Sequence, residues 1–209
     1  MKVAIFGGES KEASAALVDR SWQIWGLNLV GPGWLFKSYV GIDKMFHLHK
    51  RDDLQKDIPL HLDAFEKWAL EHPEVEYVLL EPWEKLPKAT IFPHWILREL
   101  PRGAYHCSSF DWMISYALHL GATEILLSGI KMRSDGEPIS ATPCIEYWCG
   151  YAEGRGVKVT AAPDCDLFYN YHLVRSRYVY GYDSWDLIED RTVLPEPQQH
   201  SWVAVQLEQ

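Results

Sequence analysis

Cys107 to Met132, CSSFDWMISYALHLGATEILLSGIKM, reads as a helix followed by a short buried strand. Ser108 or Ser109 suits the helix start, because a serine oxygen accepts a backbone N–H left unpaired in the first turn. Phe110, Met113, Ile114, Ala117 and Leu118 recur at helical spacing and define one apolar face. Gly121 ends the helix, since glycine accepts a left-handed C-terminal conformation. Glu124 to Ile130 is an apolar run between turn signals, as expected of a strand covered on both faces. A helix leading into a doubly covered strand is a unit of a layered α/β domain.

The same alternation extends in both directions. Val3 to Phe6, Trp22 to Leu27, Met45 to His49, Tyr77 to Leu80 and Val157 to Thr160 read as further strands. Lys11 to Arg20, Leu60 to Glu71 and Pro143 to Glu153 read as helices, the last with an inner face of Ile145, Trp148, Cys149 and Ala152. Residues 82 to 106 hold four prolines and read as loop with one helical turn near Trp95. Strands alternating with helices imply an α/β, Rossmann-like fold, a mainly parallel sheet with helices on both faces. Residues 1–163 are expected to form that domain. Residues 164–209 read as a C-terminal tail packing on it, with a Tyr-rich segment from Tyr169 to Tyr182, Pro195, Pro197 and a last strand at Trp202 to Val205.

The totals narrow the function. At 209 residues the chain suits one domain with a sizeable core. Its net charge of −9 supplies no overall basic field for nucleic acid. Ten Trp and eleven Tyr imply either a ring-lined pocket or interface, or extra core bulk; Trp22, Trp25, Trp34, Trp83 and Trp95 lie in or next to the expected loops. Cys107, Cys144, Cys149 and Cys165 form no CxxC pair, which fits free thiols and a cytoplasmic location. MKVAIFGGES is too short an apolar run for a signal peptide, and no run reaches membrane-spanning length.

Parallel sheets bind ligands beyond the carboxyl ends of their strands, near the point where strand order reverses. That rule selects Gly7 to Ser10, Asn28, His47, His49, Glu81 and Gly129 to Arg133. Gly7, Gly8 and Ser10 make a phosphate-cradle candidate, because glycines admit close backbone approach and a following helix start offers unpaired N–H groups. A plain strand-to-helix turn has the same composition. Asn28 is placed to hydrogen-bond a base or ribose, or simply to turn the chain. His47 and His49 flank Leu48, so both rings fall on one side. With Asp43 they suggest a cation, but two histidines one residue apart do not specify a metal site. Asp164 and Asp166 bracket Cys165 and are a weaker cation candidate. Glu146, opening a helix, suits the cleft or merely the helix dipole.

The order of motifs carries a resemblance. VAIFGGES, IWGLN, DKMFHLH, CSS…ALHLGATEILLSGIKM, PCIEYWCGYAEGRGVKV and YVYGY, over residues 1–182, resemble a group of Rossmann-like proteins common in bacteriophage genomes and without assigned function. More distantly they are similar to motility-associated glycosylation proteins and bacterial single-domain sialyltransferases. Those share a Gly-rich first turn ending in serine, an Asn after the second strand and a Ser-capped helix before an LG…EI-L-GI strand. The relatives tend to Gly-x-Gly-Pro-Ser where this chain has Gly7-Gly8-Glu9-Ser10, and to an acid where this chain has Lys131.

The resemblance implies sugar transfer from a nucleotide-sugar donor, with a divalent metal left open. Gly7, Gly8, Ser10 and Asn28 would hold the nucleotide. His47, His49 or His106 would act as base, since neutral imidazole accepts a proton near pH 7. Ser108, Ser109 and Lys131 would stabilise the departing phosphate; Lys131 and Arg133 equally suit a solvated charge pair. A phage setting implies a host-cell cytoplasm and a hydroxymethylated pyrimidine in DNA as acceptor. A non-catalytic nucleotide-sequestering protein is the alternative. A pterin pyrophosphokinase of related fold ranks last, because no acidic magnesium pair stands out.

Overall fold

The computed structural model describes residues 1–8, 10, 17–28, 41–57, 59–99, 105–131 and 141–168. The chain divides into two compact units, Met1–Leu167 and Phe168–Gln209. The expected first helix is largely outside the described residues, as are Glu9, Gly31 to Trp34, Arg133 and the tail from Tyr169 on.

Seven parallel strands form one sheet: β1 (Lys2–Phe6), β2 (Trp22–Leu27), β3 (Lys44–His47), β4 (Glu76–Leu79), β5 (Thr90–Ile91), β6 (Glu124–Ser128) and β7 (Lys158–Ala161). Their spatial order is β5-β4-β3-β2-β1-β6-β7. The chain therefore builds outward from β1 to β5, then crosses back to place β6 on the other side of β1. Strand order reverses between β1 and β6. The fold is α/β and Rossmann-like.

Helices cover both faces, which is why β1, β3, β4 and β6 are buried along nearly their whole length, while the edge strand β7 is not. Helices α1 (Arg51–Asp57) and α2 (Pro59–Glu71) bury Leu54, Leu62, Phe65 and Ala69 against Ala4, Phe6, Ile24, Met45, Tyr77 and Leu79. The other face carries α3 (Trp95–Glu99), α4 (Ser109–His119) and α5 (Thr142–Gly154). There Tyr116 of α4 meets Trp25 and Phe46, each at a ring separation of 5.7 Å. Trp25, Trp83 and Trp148 are fully buried, so these rings are core, while Trp95 is exposed.

Several elements differ from the sequence reading. The third strand stops at His47, leaving His49 beyond it and exposed. The sixth stops at Ser128 because Gly129 turns the chain with φ +64°. The proline-rich stretch holds the expected helical turn at Trp95, which is α3, and also an unexpected β5 whose 2 residues give no periodicity to read. Helix α1 was also not legible, since Leu54 is its one buried residue. The first unit extends to Leu167 because the chain after β7 is pinned to the end of β6. Ala162 N–H donates to Leu127 O at 2.7 Å, and Asp166 N–H to Ile130 O at 2.9 Å.

Candidate functional site

The carboxyl ends of β2, β1 and β6 are level, because Phe6 pairs with both Gly26 and Ser128. At that edge the first turn closes on itself. Ser10 N–H and Oγ–H both donate to Gly7 O, at 3.2 and 2.8 Å, and Ser10 is buried. Gly7 N–H donates to Ser128 O at 2.8 Å, which ties the turn to β6. Gly129 lies directly beneath it: a Cβ there would stand 1.9 Å from Ser10 N. The Cβ of any residue replacing Gly7 would stand 2.6 Å from Gly129 O and 3.0 Å from Phe110 Cζ. The start of α4 therefore also faces the end of β1. Gly7, Gly8 and Ser10 thus share one place with the α4 start, at the reversal of strand order where such sheets bind ligands.

The start of α4 is built by a capping box. Ser108 is the N-cap, and Asp111 in the first turn closes the reciprocal bond. Asp111 is fully buried. Its Oδ2 accepts the N–H of Cys107 and of Ser108, each at 2.9 Å. Its Oδ1 faces Nδ1 of His106 at 2.8 Å. A carboxylate only accepts, so Nδ1 carries a proton, and in the neutral ring Nε2 then holds the lone pair. The His106 ring also lies flat on Trp148, centroids 4.6 Å apart at 12°. Trp148 is fixed in turn by its indole N–H donating to Tyr105 O at 2.7 Å. His106 Nε2 is buried and has no hydrogen-bond partner among the described residues. Ser109 is half-buried in the first turn of α4.

Asn28 follows β2 in a left-handed conformation, φ +50°, which Asn tolerates better than most residues. Its Oδ1 is buried without a partner among the described residues. His47, 1% exposed, has both ring nitrogens in that condition. It is packed between Phe65 and Trp83, at 4.7 and 5.2 Å. The rings of His49 and His61 lie 5.6 and 6.1 Å from it. Burial first, then these two histidines, push the His47 pKa down to about 3, so it is neutral. Burial also lowers the pKa values of His49 and His61.

Other candidates have structural partners. Lys131 pairs with Asp166 at 2.7 Å. Asp164 accepts from Ser128 Oγ at 3.1 Å and from Gly129 N–H at 3.0 Å. Glu81 accepts the Arg51 N–H at 2.9 Å, capping α1. Asp43 accepts the Ile24 N–H at 2.7 Å, joining the sheet rather than His47 and His49. Among the described residues no group of three His, Cys, Asp or Glu side chains is arranged to hold a metal ion. None of their helices is long and apolar enough to cross a membrane.

Two residues of this site were missed in the sequence. Asp111 had a local signal, the Ser-x-x-Asp spacing of a capping box. Trp148 had none, because its contact with His106 joins distant parts of the chain.

No protein-family model matches the chain, and no curated protein matches it in sequence. Its fold is similar to that of the sialyltransferase CstII from Campylobacter jejuni, in a structure with the substrate analogue cytidine-5'-monophosphate. The two are 16% identical with a TM-score of 0.51, over 81% of this chain and 83% of that one. A structure of monomeric CstII is likewise 16% identical, with a TM-score of 0.50, over 82% of this chain and 84% of that one. At this identity the likeness establishes a common fold.

Proposed function

We propose that this chain is a nucleotide-sugar-dependent glycosyltransferase-like enzyme whose donor lies across the carboxyl edge of β2, β1 and β6. One observation carries the reading. Among the described residues, the buried side-chain atoms left without partners belong to Asn28, His47, Trp83, His106 and Ser115. Asn28 lies just past the end of β2 and His106 just before α4, at the proposed donor edge, whereas His47 and Trp83 pack on each other at the ends of β3 and β4. Unpaired buried polar atoms are costly, and a ligand along that edge would pair with Asn28 Oδ1 and His106 Nε2. The CstII fold, seen with cytidine-5'-monophosphate in its own structure, makes a cytidine nucleotide the first donor to try.

In this reading Asn28 contacts the nucleotide, and the Gly7–Ser10 turn with the α4 start faces the phosphate. His106 is the preferred base among His47, His49 and His106. Its Nε2 is aimed by Asp111 and Trp148, whereas His47 is enclosed by rings and His49 has no such holder among the described residues. Ser109 and the α4 N–H groups meet the departing phosphate. Lys131 would join them by exchanging Asp166 for phosphate.

A thermal-shift panel of CMP-, UDP-, GDP- and dTDP-sugars, with and without magnesium or manganese, tests this directly. A ligand that binds only the folded state raises its apparent stability. A shift with one nucleotide-sugar, weakened in Asn28→Ala, supports the reading; no shift with any of them removes it. The bound donor is then assayed for transfer to saccharides and to DNA containing hydroxymethylated pyrimidine. The DNA acceptor and phage setting rest on the sequence resemblance alone, and the net charge of −9 opposes tight duplex binding.

The Lys131–Asp166 pair favours one second reading. A cation already neutralised by a carboxylate suits a protein that binds a nucleotide and leaves it intact. Tight binding with no turnover of any donor would select it.

A further inference from the structure

Two of the four cysteines face each other at the starts of two helices. Cys107 precedes the N-cap of α4 and is exposed; Cys144 is in the first turn of α5 and is buried. Both are free thiols, and their sulfurs are 2.9 Å apart, with Cys144 Sγ–H donating to Cys107 Sγ. Nothing in the proposed transfer reaction uses this pair. Cys149 and Cys165 differ: the first is buried in the α5 core and the second is half-buried in the turn after β7.

We infer that Cys107 and Cys144 form a reversible modification site, a dithiol that closes to an intramolecular disulfide by exchange with a low-molecular-weight disulfide of the glutathione class. The exposed Cys107 is the entry point, because a disulfide in solution reaches it before the buried Cys144. Its thiolate attacks one sulfur of glutathione disulfide. The reagent's S–S bond breaks, and one glutathione leaves as thiolate and takes up a proton. Cys144 then loses its proton and attacks Cys107 Sγ. The mixed disulfide breaks and the second glutathione leaves, taking up that proton. Two cysteine thiols are oxidised, one glutathione disulfide is reduced to two glutathiones, and the protons balance.

Burial and the neighbouring Cys107 push the Cys144 thiol up to about 12, so Cys144 waits as a thiol until the mixed disulfide is beside it. The bridge would join segments 37 residues apart and tie the start of α4 to the start of α5, next to His106.

The test uses the full chain, equilibrated in glutathione buffers of increasing oxidised fraction, quenched with acid, alkylated and mapped without reduction. The expected result is a Cys107–Cys144 cross-linked peptide that forms in one two-electron transition and is reversed by dithiothreitol. The bridged form should melt roughly 5 °C higher, by restriction of the unfolded chain. Cys107→Ser should abolish the bridge, and Cys144→Ser should trap a glutathione adduct on Cys107. Cys165→Ser should leave the bridge intact. A wild-type adduct at Cys107 that never closes, pairing with Cys149 or Cys165, or an unchanged dithiol in the most oxidising buffer would each overturn the proposal. Because Cys107 is exposed, its serine variant keeps the test valid if Cys144→Ser fails to fold.

Discussion

Asp111 Oδ1 accepts a hydrogen bond from His106 Nδ1 at 2.8 Å while Asp111 Oδ2 closes the capping box of α4. One carboxylate thus fixes both the helix start and the imidazole tautomer. The two tasks separate in mutants. Asp111→Ala removes the acceptor for the Cys107 and Ser108 N–H groups and should cost about 1–3 kcal/mol. Asp111→Asn keeps an acceptor for the cap but can turn its amide donors toward Nδ1, favouring the other tautomer. Nitrogen-15 NMR of labelled histidine should show protonated Nδ1 in the wild type and protonated Nε2 in Asp111→Asn. If the proposed transfer is detected, its kcat should fall by about 10²–10⁴ in that variant. An unchanged tautomer would remove Asp111 from the positioning role whatever the activity.

His47 makes stability depend on pH. Its pKa falls from 6.5 in the unfolded reference to about 3 in the folded protein. Between those values the unfolded chain binds the extra proton, so stability is full above pH 6.5 and declines as pH falls toward 3. This one group contributes a slope of up to about 1.4 kcal/mol per pH unit. Urea denaturation at pH 7, 6, 5 and 4 should show a shallower decline for His47→Leu than for the wild type. Parallel curves would mean that His47 does not titrate in this way.

The Gly129 contact predicts an unequal glycine series. Gly129→Ala combines φ +64° with a Cβ 1.9 Å from the Ser10 backbone nitrogen, so the first turn must move. More than about 2 kcal/mol should be lost, because left-handed strain alone costs about 1–2. Gly121→Ala has φ +77° but open space, and should lose about that strain alone. Comparing the two melting temperatures isolates the steric part; equal losses would contradict the close packing of Ser10 on Gly129.

Asn28 should trade binding against little stability. Its side-chain Oδ1 has no partner among the described residues, and its φ of +50° suits glycine. Asn28→Gly should therefore change stability by no more than about 0.5–1 kcal/mol. The melting shift produced by the preferred nucleotide should shrink at least several-fold. A large loss of stability with the ligand shift preserved would give Asn28 a structural role only.

The α/β class was legible because it rests on local rules. Apolar runs between turns gave β1, β2 and β6, 3.6-residue spacing gave α2, α4 and α5, and a serine cap with Gly121 bounded α4. The first turn was legible too, since its glycines and Ser10 close a local bond. The helical turn near Trp95 was legible and is α3, but β5 was not, because a strand of 2 residues carries no period.

The sequence by itself determined where most of the strands and helices form, and that Gly7 and Asn28 stand at strand ends, while the structure moved the ends of β3 and β6 to His47 and Ser128. Tertiary structure alone decided what those positions meet. Placing β6 beside β1 puts Gly129 under Ser10, and packing α5 on α4 lays Trp148 on His106 and Cys144 against Cys107. The orientation of β3 seals His47 among Phe65 and Trp83 and makes it neutral. Periodicity and capping act within a few residues and are written in the local sequence. Burial and unpaired atoms arise between distant segments, and the packing of the whole sheet creates them.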